Sequence, residues 1–528
     1  MDSIRAFVNH RNGRHERPSS CPVPTGAKDF HMQNMDGPVL GMFGLYLAGM
    51  MLIGWLGWRA TQSLSDYILG GRRLGAFVTA LAAGASDMSG WLLMGLPGAI
   101  FLAGLSEAWI AIGLIVGAYL NWRWVAARLR LYSERCGNAL TLPDYFANRF
   151  GAHAHLLRTV SAVVILVFFT LYAASGVVAG ARLFETMFGL PYGTALWIGA
   201  LCTMAYVFIG GFLAVSWTDT IQASLMFTAL VLAPLMVMAA LGGPTASVQA
   251  VALTHPGHMD WIGNLDTIAI VSLLAWGLGY FGQPHILVRF MAAESAGAMA
   301  RARRIGMTWM VLCLAGAVAV GFFGSAYFAA HPDQAGGVAA NAERVFIELA
   351  LVLFSPWLAG MLLAAVLAAI MSTLSAQLLV CSSALTQDIY KNFVRRQASE
   401  RELVWFGRAT VLGVTLLAIA LASDPNSRVL GMVSYAWAGF GAAFGPVVLL
   451  SLMWRRMTAR GALAGMVVGA VTVLVWKQAG WFGLYEMVPG FVLATLAIVL
   501  TSLLDREPAR AVVATFDEVQ DRLQQARA

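Results

Sequence analysis

Apolar residues along this chain do not alternate with polar ones, nor do they mark a single helical stripe. They run on without interruption, and stretches such as Pro38 to Trp58 and Thr220 to Leu241 match the roughly 20 apolar residues a helix needs to cross a hydrocarbon layer of about 30 Å. Thirteen such runs are bounded by charged or Gly/Pro-rich breaks: 38–58, 75–102, 106–122, 159–181, 188–215, 220–242, 267–288, 305–329, 357–386, 409–423, 429–454, 461–476 and 484–504. The run after Arg344 is too long for one crossing, so Val345 to Phe354 is expected to approach the membrane as a helix and to break at Ser355-Pro356. An odd number of crossings places the two termini on opposite sides.

Composition closes the question of solvent. The chain is 59% hydrophobic and 12% charged over 528 residues, far from the roughly 25% charged of a soluble domain. A net charge of +7 would suggest a polyanionic partner if the cations clustered, but they sit in short connections. Lys and Arg gather in 59–73, 123–158, 289–304, 391–408 and 455–460, whereas the alternate connections hold only Arg182, Arg344, Arg428 and Lys477. That asymmetry predicts a cytoplasmic C-terminus and an external N-terminus. Residues 1–36 dissent, because Arg5, Arg11, Arg14, Arg17 and Lys28 favour the cytoplasm and the stretch lacks a signal-peptide core. Translation is therefore expected to start at Met32 or Met35, with 1–36 a disordered tail or an over-extended start. Cys21, Cys136, Cys202, Cys313 and Cys381 show no metal-ligand spacing, which predicts free thiols and no cysteine metal site.

Ionisable groups inside a bilayer cost several kcal/mol, so each marks a candidate site. Asp87 stands mid-span within Ala-Ala-Gly-Ala-Ser-Asp-Met-Ser-Gly-Trp, residues 82–91, followed by Gly95, Pro97 and Gly98. Gly, Pro, Ser and Asp all weaken a helix, so this span is expected to be broken, with freed carbonyls for a small cation and freed amides for a carboxylate. The other reading is a Gly-rich packing face with Asp87 hydrogen-bonded to a neighbour. In span seven, Trp276, Tyr280 and Pro284 recur at i, i+4, i+8 among glycines; they line either a pocket for a ring and an ammonium group or a packing seam. In span nine, Ala369, Ser372 and Thr373 converge at i, i+3, i+4, as oxygen ligands for Na⁺ or as hydroxyls bonded back to their own turn.

Other chemistry has no foothold. There is no GxxxxGK[ST] loop, no HExxH, no GxSxG and no long aqueous segment, so no enzyme is expected and an ion gradient must drive any work. The broken spans two and seven lie five apart. That offset inverts orientation, as two inverted repeats around a midplane site require.

With Asp66-Tyr-Ile-Leu-Gly-Gly-Arg72, the run from Ser86 to Gly98, Leu140-Thr-Leu-Pro-Asp-Tyr145, Phe208 to Asp219, Trp276 to His285 and Met371-Ser-Thr-Leu-Ser375, the chain from about Leu45 to its last span resembles the sodium:solute symporter family. The runs around Asp87 and Trp276 resemble its proline-transporting branch. The resemblance implies an all-α polytopic membrane protein of about thirteen transmembrane helices, with an inverted five-plus-five (LeuT-like) repeat core and broken helices. The expected divisions are a tail 1–36, a transporter domain 37–504 with repeats near 75–242 and 265–454, and a cytoplasmic tail 505–528. It further implies a Na⁺ site made by the backbone of Ala85, Met88 and Ala369 and the hydroxyls of Ser372 and Thr373. Asp87, Arg72 and Asp219 match positions linked to ion use, while Ser89, Gly90, Tyr172, Trp276, Tyr280 and Pro284 match positions implicated in proline binding.

The function so implied is Na⁺-coupled uptake of L-proline across the bacterial cytoplasmic membrane, with Na⁺ as co-transported ion, no other cofactor, lipid as surroundings, and neither nucleic acid nor an obligatory protein partner. Rival readings are the same machine for another amino acid, pantothenate or a sugar, a membrane sensor, and a channel. A sugar would call for more Asn, Gln and Glu in the pocket than Trp276, Tyr280 and Pro284 supply, and Arg506 to Ala528 is short for a sensor's output domain.

Overall fold

The computed structural model describes residues 37–525 except 62 and 152; the side chains of 64 and 205–210 are outside that description. The expected start at Met32 or Met35 and the tail 1–36 therefore lie outside the described residues. Within them the chain is helical, with one isolated backbone bridge, Leu74 to Ala293, and no strand. A chain this apolar has little alternative, since a helix satisfies every backbone group internally where no water is available.

Among the described residues ten helices are long and apolar enough to cross a membrane, among them Gly37–Ala60, Ala154–Phe188, Gly211–Ala240, Met299–Ala330, Pro356–Val394 and Val429–Met453. Three shorter apolar helices, Ala76–Asp87, Tyr192–Met204 and Thr267–Gly282, fall in runs two, five and seven, so every run read from the sequence is helical. The helix Val345–Leu353 ends at Phe354, and Ser355 caps a new helix opening on Pro356, as expected from proline's missing amide.

Burial sorts the helices into core and rim. The most apolar stretch of Pro356–Val394 is 89% buried and that of Val429–Met453 83%, against 28% for Gly37–Ala60, 39% for Ala459–Ala479 and 33% for Met487–Leu504. The outward faces of these three less buried helices carry Leu45, Leu52, Val471 and Leu500. Gly211 separates two rim-to-core helices with φ of +66°, a conformation L side chains avoid.

Both helices that open the expected repeats are interrupted. Ala76–Asp87 stops, Met88 and Ser89 leave the helix, and the chain resumes as a wide turn over Trp91–Gly95 and an α-helix over Leu96–Ala103. Thr267–Leu274 tightens to a 3₁₀ helix over Ala275–Gly282, passes through extended Gln283, and restarts at Pro284–Ala292. Their ends on one face are tied together by backbone: the Leu74 amide donates to the Ala292 carbonyl at 3.2 Å and the Glu294 amide to the Leu74 carbonyl at 2.9 Å.

The segment read as a tail folds back. Arg510–Gln525 is a helix whose Phe516, Val519 and Leu523 are buried. It docks through an Arg455–Asp517 pair at 2.8 Å and an Arg135–Glu518 pair.

Candidate functional site: an ion and solute site between two broken helices

The first break can be followed bond by bond. The Met88 amide makes the last α-type bond, to the Gly84 carbonyl at 2.9 Å, and Met88 then takes ψ of 84°. The Ser89 amide, which a continuous helix would give to the Ala85 carbonyl, donates instead to Asp87 at 3.0 Å. The Ala85 carbonyl is left to side chains. Ser372 Oγ reaches it at 2.8 Å and Thr373 Oγ1 at 3.3 Å, and Ser372 Oγ also lies 3.0 Å from the Ala369 carbonyl. Residues some 287 apart in sequence thus bring four of the five expected ion ligands into one network. Met88, the fifth, follows the break and leaves helical geometry with ψ of 84°, and no hydrogen bond ties it to the other four.

Ser372 is fully buried and Thr373 is 2% exposed. Two hydroxyls and two or three carbonyls form an all-oxygen donor set of the kind that suits a hard cation. Each hydroxyl oxygen also keeps lone pairs free to accept.

The second break carries rings. Tyr280 lies edge-on to Trp437 with centroids 5.2 Å apart, and Trp276 stacks on Tyr485 at 5.8 Å. The Trp276 carbonyl, loosened by the 3₁₀ turn, accepts from Trp437 Nε1 at 2.7 Å. Pro284 opens the resumed helix and leaves no amide unmet. Beside it, His285 is flanked by Tyr172 and Phe169 at 6.0 and 5.4 Å. The two breaks meet at Asp87, whose Oδ2 accepts a short hydrogen bond from the Tyr280 hydroxyl. The Asp87 carbonyl in turn receives Trp91 Nε1 at 3.1 Å and the Tyr172 hydroxyl at 3.4 Å. Ser89 Oγ sits 3.4 Å from the Trp91 amide. A Cβ on Gly90 would stand 2.8 Å from that of Ala179, so no larger residue fits there without movement.

A profile of the sodium:solute symporter family matches residues 67–469. The chain belongs to that family. Two curated relatives are similar over almost their whole length: a sodium/proline symporter of Escherichia coli strain K12, 63% identical over 91% of this chain and 96% of its own, and a sodium/proline symporter of Salmonella typhimurium strain LT2, 64% identical over 91% and 95%. Among solved structures, a Na⁺-coupled sialic acid symporter in a substrate-bound outward-open state superimposes with a TM-score of 0.76 over 90% of this chain and 99% of that one, at 17% identity. At that identity the likeness speaks for the fold of a sodium:solute symporter and for nothing finer.

Two expected ion-linked residues of this symporter stand apart from the network. Arg72, at φ of +56°, donates to the Met291 carbonyl at 2.5 Å, the Ala139 carbonyl at 2.8 Å, Asn138 at 2.9 Å and Ser133 at 3.0 Å. It acts as a clamp between three segments; burial and the neighbouring Arg130 pull its pKa down to about 10. Asp219 forms a fully buried ion pair with Arg289 at 3.0 Å. In the sequence Arg289 reads as a loop cation, but it lies in the resumed half of the second broken helix. Trp437, Gln283, His285 and Asn121 are further buried residues at the breaks that carry no sequence signal of their own. Only Gln283 and His285 fall inside a family-like run.

Proposed function

We propose that this protein is a Na⁺-coupled symporter that takes up L-proline by alternating access. The observation that carries the ion half is the Ala85 carbonyl, abandoned by its own helix and met by the hydroxyls of Ser372 and Thr373. The solute half rests on the 63% and 64% identity to sodium/proline symporters and on the ring-lined second break.

Na⁺ bridges the first broken helix and Pro356–Ser383 through Ala85, Met88, Ala369, Ser372 and Thr373. That bridge fixes the Ser89-Gly90 turn beside which the proline carboxylate docks, while Trp276, Tyr280 and Pro284 with Tyr172 suit the pyrrolidinium ring. Because each ligand shapes the other's half of the site, each raises the other's affinity by the same factor. The thirteen helical runs cross the inner membrane with the N-terminus outside and the C-terminus in the cytoplasm. Residues 75–242 and 265–454 form the two inverted repeats, and 505–528 lies on the cytoplasmic face.

Labelled L-proline uptake into proteoliposomes tests the reading. An inward Na⁺ gradient should drive accumulation above equilibrium, and unlabelled proline should compete where pantothenate and sugars do not. Uptake indifferent to the Na⁺ gradient sinks the proposal.

A further inference from the structure

The helix Ala76–Asp87 has a second functional face. Ala80, Ala83, Gly84 and Asp87 recur at i, i+3, i+4, i+7 and line one side of a small, partly open cavity, so they share a stripe of the helix. Ala85, which meets Ser372, points the other way. Met88, Asn121 and Tyr280 are also among its lining residues, so the cavity adjoins the first break. The space has room for about one water or one bare alkali ion.

Two side chains face this space with unmet polar atoms. Asp87 is 2% exposed; Tyr280 occupies its Oδ2, and its Oδ1 has no hydrogen-bond partner in the chain. Asn121 is 1% exposed, and neither its Oδ1 nor its Nδ2 has one. Among the described residues Asp87 makes no ion pair, and no Lys, Arg or His lines the cavity. A buried carboxylate without a positive partner is strongly unfavourable, and a buried carboxamide with both ends idle adds to the cost. An anion is excluded by the carboxylate. A cation answers both groups, taking charge from Asp87 and a neutral oxygen from Asn121.

We propose that this cavity is a second station for a monovalent cation, beside the hydroxyl-lined site and held by Asp87 Oδ1 and Asn121 Oδ1. One ion passing between the two faces of the broken helix would then be in contact with Asp87 before or after it meets Ser372. The inference rests on the Na⁺-coupled reading above.

The test uses the full chain in proteoliposomes and, in detergent without proline, the rise in melting temperature with added Na⁺. Asn121→Leu is expected to raise the Na⁺ concentration for half-maximal uptake at least 10-fold, to blunt the Na⁺-dependent stabilisation, and to leave proline half-saturation at saturating Na⁺ within 2-fold. Asn121→Asp, which adds a charged oxygen, should lower the Na⁺ requirement. Combining Asn121→Leu with Ser372→Ala should raise the Na⁺ requirement beyond that of either single variant, because each removes a different oxygen ligand. A wild-type Na⁺ dependence in Asn121→Leu overturns the proposal, as does a double variant no worse than the poorer single one. A loss of maximal rate with unshifted Na⁺ dependence would assign the cavity to a structural water and equally overturn it. Should Asn121→Leu not reach the membrane, Asn121→Ala is read by the same standard. If wild-type uptake ignores Na⁺, the parent reading fails before any variant is made.

Discussion

The interruptions at Met88-Ser89 and at Ala275–Gln283 are made of different material. The first releases a carbonyl and has it met by alcohols from a helix nearly 300 residues away, beside a carboxylate. The second tightens into a 3₁₀ turn, and its loosened Trp276 carbonyl is taken by an indole, so what it offers is ring surface. One break suits a hard ion and the other an organic ring with a positive nitrogen. The side-chain contact joining them is the Tyr280 hydroxyl on Asp87. On the proposed reading the ion falls to the first break and the solute's ring to the second, with the Tyr280–Asp87 hydrogen bond between them.

The severest way to break this division is to remove Asp87. Asp87→Cys should reduce labelled proline uptake by roughly 100-fold or more, since a charge-assisted hydrogen bond and an ion contact are both lost; normal uptake would make the carboxylate a packing element. Outside both breaks, Asp219→Asn leaves Arg289 buried without its counter-ion and should cost about 3–5 kcal/mol of stability. Thermal unfolding in detergent would show it, and adding Arg289→Gln should recover part of the loss.

Ser372→Ala and Thr373→Ala sharpen the comparison, each raising the Na⁺ concentration for half-maximal uptake by about 10- to 100-fold, the worth of one hydrogen bond to a charge. Proline half-saturation at saturating Na⁺ should move far less. Trp276→Ala should show the mirror image, weakening proline about 10-fold, as expected for one lost cation–π partner, with Na⁺ activation little changed. Tyr280→Phe is the mildest and the most telling: a shift of a few fold in both parameters, since it cuts the link alone. If it moves only one, the breaks are not joined there.

The helices and the first interruption were legible because lipid enforces long apolar runs and because Gly84, Ser86, Asp87 and Ser89 are poor helix formers inside one. The convergence of Ala85 with Ser372 was not. Nothing local says which helix will face a freed carbonyl, and only the family resemblance joined them. Arg289 was misread because a cation flanking an apolar run reads as solvated, and its partner lies 70 residues away. Asn121 escaped notice as the last residue before a basic loop. The helix Arg510–Gln525 looked like a tail because its apolar residues are few, yet Phe516, Val519 and Leu523 at 3- and 4-residue spacing are enough to seat it.

The pairing of Leu74 with Ala292 and Glu294 has a bearing on coupled movement. It fastens the entry of one interrupted rod to the exit of the other through main-chain atoms, so a displacement of one half-rod is passed to the other while it holds. Evolution can retune pocket walls for a new cargo by swapping side chains, and this fastening, which owns none, will persist through the change.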